Sequence, residues 1–125
     1  MSFDADILSG LDEEQGRAAA SNARHLLVVA GPGSGKTRVL SRRFAHLLRN
    51  GYSPEDLLAI TFTNRAALEM RGRIEAFSSV AARSLEISTF HSFALRFLKK
   101  NGLVFRLAGR LEQKEILKGA GVKDV

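Results

Sequence analysis

Residues Ala30 to Thr37 read AGPGSGKT, and this octapeptide constrains the chain more than any other stretch. It matches the P-loop pattern G-x-x-x-x-G-K-[ST], with alanine in its first place. It lies between a continuously apolar run, Leu26–Ala30 (LLVVA), and a segment with helical apolar spacing from Lys36 to Asn50. Strand, glycine loop and helix in that order place a helix N-terminus directly behind the glycines. A polyphosphate wrapped by main-chain N–H groups needs residues without side chains where the backbone comes close, and Gly31, Gly33 and Gly35 meet that need. Ser34 completes the loop. Lys36 supplies a point charge for the β- and γ-phosphates, and the Thr37 hydroxyl is a ligand for Mg²⁺.

The rest of the chain follows an alternating rhythm, which predicts an α/β domain with a parallel sheet flanked by helices. Asp12 is a candidate cap for a helix running to about Ser21. Leu26–Ala30 is expected as a strand buried on both faces. Val39, Leu40, Phe44, Leu47 and Leu48 fall on one helical face, and Gly51 suits the residue just past that helix. Leu57–Phe62 (LLAITF) predicts a second strand. A second helix from about Asn64 carries Ala67, Met70, Ile74 and Phe77 on one stripe, with Arg65, Arg71 and Arg73 largely off it. Ser78–Ser84 is expected as a loop and Leu85–Thr89 as a third strand. A third helix, Phe90–Asn101, is expected to turn Phe90, Phe93, Phe97 and Leu98 inward, and Leu111–Lys118 predicts one more amphipathic helix.

Composition narrows the function classes. With no cysteine among the 125 residues, disulfide scaffolds, cysteine-ligated metals and thiol nucleophiles are excluded. Apolar residues at 45% and charged residues at 26% fit a folded globular domain. No apolar run approaches a bilayer span, and Asp4 and Asp6 occupy the N-terminus where a signal peptide carries positive charge, so the cytoplasm is expected. The net charge of +6 is unevenly spread. Residues 1–22 hold five carboxylates against Arg17 and carry −4, which leaves +10 on the remainder. A field of that sign favours polyanions such as nucleotides and nucleic acid, although a solvated basic surface would look the same.

The loop alone leaves nucleotide kinases, GTPases and motor ATPases open, because phosphates look alike to a backbone cradle. A base-reading N-K-x-D segment is absent, which disfavours a G protein. Over about Leu11 to Asn101 the chain resembles the superfamily 1 DNA helicases of the UvrD/Rep/PcrA type. Leu11–Gln15 (LDEEQ) is similar to their adenine-reading Q motif, AGPGSGKTRVL to motif I, ITFTNRAALEMRGRI to motif Ia and STFHSFALRFL to motif Ib.

The resemblance implies ATP and Mg²⁺ as cofactors, held by Gln15, Gly31, Gly33, Ser34, Gly35, Lys36, Thr37 and Arg38. Gln15 would meet the adenine edge, since an amide donates and accepts at once. Arg38 would pack near the nucleotide. It also implies that Phe62, Thr63, Asn64, Thr89 and His91 meet single-stranded DNA at two successive strand ends. An aromatic ring stacks on any base while short polar groups hold phosphate. A simple core role for Phe62 and a structural one for His91 stay open, as does a nucleotide- or DNA-binding regulatory module.

An acidic D-E-x-x strand end and an arginine from a second RecA-like domain, both needed for turnover, do not occur in the sequence. Residues 1–10 are accordingly expected as a leader, 11–102 as part of a RecA-like core and 103–125 as the start of an inserted helical subdomain. The whole is expected to be an N-terminal piece of a longer helicase or a truncated gene product, binding nucleotide with little turnover of its own.

Overall fold

The computed structural model describes residues 4–78 and 82–122. They form two compact units that divide between Phe93 and Ala94.

In the first unit a short helix, α1 (Asp4–Leu8), precedes α2 (Glu13–Ala20) and α3 (Lys36–Arg49). Asp12 caps α2 as expected: its carboxylate accepts from Gln15 N at 2.8 Å, and Gln15 Oε1 accepts from Asp12 N at 3.2 Å. This reciprocal box satisfies two backbone donors that a helix start leaves without partners. Replacing Asp12 by alanine should cost about 1 kcal/mol, measured as a shift in the urea midpoint at unchanged slope. At the far end of α3, Gly51 adopts φ 93°, a left-handed conformation. Tyr52 N then reaches Leu47 O at 3.2 Å and closes the helix.

Strand β1 (Leu58–Thr61) leads into α4 (Asn64–Glu75), and β2 (Glu86–Thr89) leads into α5, Phe90–Lys100. The two strands pair in parallel, with Ala59 opposite Ile87 and Thr61 opposite Thr89. Helix α4 lies on this small sheet, and the stripe read from its sequence is buried at three of its four positions, Phe77 lying past the helix end and half-buried. Ala67, Met70 and Ile74 join Phe44, Ala59, Leu85 and Ile87 in the core cluster. Arg71, off the stripe, is not a solvated arginine. Its guanidinium donates to Leu85 O at 3.0 Å and Ile87 O at 3.1 Å and so fastens α4 to β2.

Two neighbouring arginines of α3 organise the N-terminal helices. Arg42 donates to Asp6 O at 3.0 Å and Ile7 O at 2.6 Å, and it stacks 3.7 Å from the centre of the Phe77 ring. Burial, with the nearby charge of Arg38, lowers its pKa, yet a guanidinium stays charged throughout the physiological range. Arg43 donates to Ala18 O at 3.1 Å and Ser21 O at 2.7 Å. Each cation thus sits at the negative C-terminal end of a helix. The acidic leader is therefore docked, with Ile7 buried.

Three expectations are corrected. Leu26–Ala30 is not a strand: it is extended but belongs to no sheet, with Leu27 and Val29 at 86% and 87% exposure. The two strands of the sheet pair only with each other, so among the described residues this run has no ladder partner. Helix α5 has no buried residue, and Phe90 and Phe97 are more than half exposed. Periodicity marks an apolar face on a helix but does not supply the layer that would bury it. Finally, Thr63 rather than Asn64 caps α4. The expected loop Ser78–Ser84 ends in a 3₁₀ turn, Ala82–Ser84, and residues 79–81 lie outside the described ones.

In the second unit, α6 (Arg110–Gly119) begins at Gly109, whose N–H donates to Glu112 Oε2 at 2.8 Å. Arg106 pairs with Glu112 at 2.7 Å. The Gly109 N–H and then Arg106 hold this carboxyl below its usual pKa. No helix among the described residues is long and apolar enough to cross a membrane.

Candidate nucleotide site and nucleic-acid corner

The glycine loop is open to solvent from Gly31 to Ser34. Gly33 and Gly35 have φ 73° and 81°, a region that a side chain disfavours. Ser34 Oγ donates to Gly31 O at 2.6 Å and closes the turn. Gly35 caps α3 without a side-chain hydrogen bond, and the first turn of that 14-residue helix holds no acidic residue. The leading N–H groups of α3 thus face a place where neither carboxylate nor side-chain cap competes. A Cβ at Gly31 or Gly33 would meet nothing within 4 Å, so the space beside both glycines is open.

Lys36 folds back over the loop, donating to Ala30 O at 3.2 Å and Gly31 O at 2.7 Å. Its ammonium is thereby held against the same turn that presents the amides. Among the described residues, no hydrogen bond to protein engages the Thr37 hydroxyl, which leaves it available as an oxygen ligand. The donor set therefore fits a polyphosphate with a hard divalent cation.

Gln15 has a role that its motif did not suggest. Besides closing the α2 capping box, its Nε2 donates to Ser34 O at 3.1 Å. The amide thus ties the start of α2 to the tip of the loop. One N–H and one oxygen lone pair remain uncommitted, enough for a bidentate contact with a base edge. A cavity of about 270 Å³ opens beside it, bordered by Asp12, Gln15, Val28, Ser34, Lys36 and Val39. Arg38 lies at the turn between α1 and α2, where a Cβ on Gly10 would come within 3.0 Å of its guanidinium. On the other side of the loop a second cavity, of about 340 Å³, has Gly33, Gly35, Lys36, Thr37 and Arg38 along one wall. Glu69 and Arg73 of α4 line it as well.

The in-register pairing of Thr61 with Thr89 sets the two strand ends side by side. Both following helices are capped in the same way. Thr63 Oγ1 accepts from Ala66 N at 3.1 Å, and Thr89 Oγ1 accepts from Ser92 N at 3.2 Å. Phe62 is 89% exposed and not part of the core. Asn64 and His91 are exposed at the same edge, whereas Thr89 is buried beneath it. Two helix N-termini and an unburied aromatic ring therefore share one edge of an α/β sheet, the kind of edge where ligands collect.

Comparison with known proteins shows the family. The model of the UvrD/REP helicase N-terminal domain matches residues 11–118. The chain belongs to this family. It is 46% identical over 104 residues to the ATP-dependent DNA helicase PcrA of Leuconostoc citreum, an alignment covering 82% of this chain and 14% of that protein. It is 40% identical over 120 residues to PcrA of Bacillus subtilis (strain 168), covering 90% of this chain and 16% of that one. With ATP-dependent DNA helicase UvrD1 of Mycobacterium tuberculosis (strain H37Rv) it shares 47% identity over 94 residues, or 74% and 12% of the two chains. The chain thus spans about one seventh of the length of these relatives. Of the three apolar runs read as strands, the one that precedes the glycine loop has no ladder partner among the described residues, and the two after it are formed and paired. The place of Glu69 and Arg73 on the second cavity and the loop contact of Gln15 were not legible in the sequence.

Proposed function

We propose that this chain is the nucleotide-gripping part of an ATP-dependent DNA helicase acting on single-stranded DNA. Residues 11–102 would belong to its first RecA-like domain and 103–125 to the start of an inserted helical subdomain. The protein would work in the cytoplasm, with a second RecA-like domain as partner. The reading rests above all on the left-handed glycine loop at the uncapped N-terminus of α3, with Lys36 folded onto it. Gly31, Gly33, Ser34 and Gly35 would cradle the phosphates of ATP, Lys36 would neutralise them and Thr37 would hold Mg²⁺. Gln15 would read adenine with the half of its amide left over from the loop contact, and Arg38 would flank the nucleotide. Mg²⁺, held there by the Thr37 hydroxyl, would supply neutralisation of phosphate charge.

At the sheet edge, Phe62 would stack on a base while Asn64, His91 and the amides behind Thr63 and Thr89 hold phosphate. Thr89, being buried, would act through its cap. Among the described residues neither strand ends in a carboxylate that could activate water, so the chain by itself should bind ATP with little turnover.

Equilibrium titration with a fluorescent ATP analogue and Mg²⁺ tests the nucleotide grip. Saturable binding displaced by inorganic tripolyphosphate is expected, and an analogue that binds without being displaced would contradict the assignment. For the DNA edge, Phe62→Ala should weaken binding of oligo-dT about ten-fold in a fluorescence-anisotropy titration, from the loss of one base stack. Because Phe62 is exposed, the variant should unfold like the parent chain. Equal DNA affinity in the two would leave Phe62 without the proposed role.

A further inference from the structure

The cavity between the glycine loop and α4 is lined from both elements, and its α4 wall is chemically unusual for the side of a helix. Arg73 and Glu69 stand there four residues apart, joined at 2.6 Å. Lys36, Thr37 and Arg38 line the same cavity. Three cations against one carboxylate give this recess a net positive charge, which draws an anion.

The three cations differ in how firmly they are held. Lys36 is engaged by two carbonyls of the loop, and the Arg38 guanidinium lies beside Gly10 with no hydrogen bond or ion pair among the described residues. Arg73 has a single partner among the described residues, Glu69, in an ion pair whose side chains are about half exposed. Such an i,i+4 pair adds little to stability and is readily exchanged. A guanidinium makes stronger, shorter hydrogen bonds to phosphate oxygens, and its planar fork suits them.

We propose that Arg73 is a further polyphosphate-binding residue, restrained by Glu69 until a phosphate tail enters the recess from the loop side. This rests on the nucleotide reading of the glycine loop. The two residues then act in opposite senses: Arg73 adds attraction for the anion, and Glu69 opposes it, both by holding Arg73 and by its own negative charge. Helix α4 becomes an element common to the two sites, since its first turn forms the nucleic-acid edge and its third turn closes the phosphate recess.

The experiment is displacement of a fluorescent ATP analogue from the chain by inorganic tripolyphosphate, across three variants. Arg73→Ala should weaken tripolyphosphate about five-fold, in line with one solvent-screened charge-assisted contact. Glu69→Gln should strengthen it about three-fold, because it frees the guanidinium and removes a repelling charge. Circular dichroism should find both variants folded. A purely structural pair would move the two variants in the same direction or leave both unchanged, and either result would overturn the role of Arg73. Lys36→Ala is the reference: if it weakens tripolyphosphate while Arg73→Ala does not, only the α4 wall is refuted. Should Lys36→Ala leave displacement untouched as well, the nucleotide reading of the loop fails along with this one.

Discussion

Lys36→Ala is expected to lower the affinity of the chain for Mg-ATP by one to two orders of magnitude while leaving the fold intact. The loss follows from removing a charge-assisted contact to the phosphates, about 1.5–3 kcal/mol for hydrogen bonds to charged groups. The Lys36 side chain is exposed, and its partners in the free protein are the carbonyls of Ala30 and Gly31. Those carbonyls lie in an open loop where water can replace the ammonium, so little stability should be lost. Lys36→Arg is a sharper probe. It keeps the charge but spreads it over a broad fork, which does not replace a compact ammonium against a tight turn. Isothermal titration should therefore find Lys36→Arg impaired too. Wild-type affinity in Lys36→Ala would remove the ammonium from the site and with it the main support for an ATP-binding function.

The parts of this site that could be read from sequence are those whose geometry is local. Asp12 caps α2 through a residue three positions away, and Gly35 opens α3 by its own backbone freedom. The strand ends at Phe62 and Thr89 follow from short apolar runs that stop at polar residues. What could not be read depends on distant partners. Leu26–Ala30 has the composition of a doubly buried strand, but a strand exists only with a ladder neighbour, and its sequence cannot say whether one is supplied. The apolar face of α5 raises the same difficulty: periodicity identifies the face, whereas burial requires an opposing layer with area to spare. Arginines are the third case. Arg42, Arg43, Arg71 and Arg73 all lie among apolar positions at helical spacing, yet three of them bind main-chain carbonyls and only Arg73 faces a cavity beside the glycine loop without such a bond. Long side chains reach about a helical turn beyond their own position, so residue spacing does not fix their partners.

The two candidate sites share a small mechanical base. Phe62, Asn64 and His91 are held by the ends of β1 and β2, and Arg73 and Glu69 by α4. Those elements are joined by one apolar layer, at whose centre Ile74 is fully buried. Ile74→Ala is accordingly expected to destabilise the first unit by about 2–5 kcal/mol, the range for a buried large-to-small change in which the surroundings close only partly. Closure should be poor here. Met70 could shift toward the void, but Ala59 and Ala67 are too short to fill it, and Arg71 pins α4 to β2 through two carbonyls. Ile74→Val should cost about 0.5–1.5 kcal/mol, and Leu68→Ala, on the exposed face of the same helix, less than about 0.5 kcal/mol. Urea denaturation followed by circular dichroism gives the three midpoints, and the expected ranking from lowest to highest is Ile74→Ala, then Ile74→Val, then Leu68→Ala. Binding follows from the same packing. At temperatures where Ile74→Ala is still folded, its nucleotide affinity should stay close to wild type, because Ile74 lines neither cavity. On warming, nucleotide and oligo-dT binding should fail together with the circular-dichroism signal. If Ile74→Ala proved no less stable than Leu68→Ala, α4 would not be anchored on the sheet through Ile74, and a common base for the two sites would have to be given up.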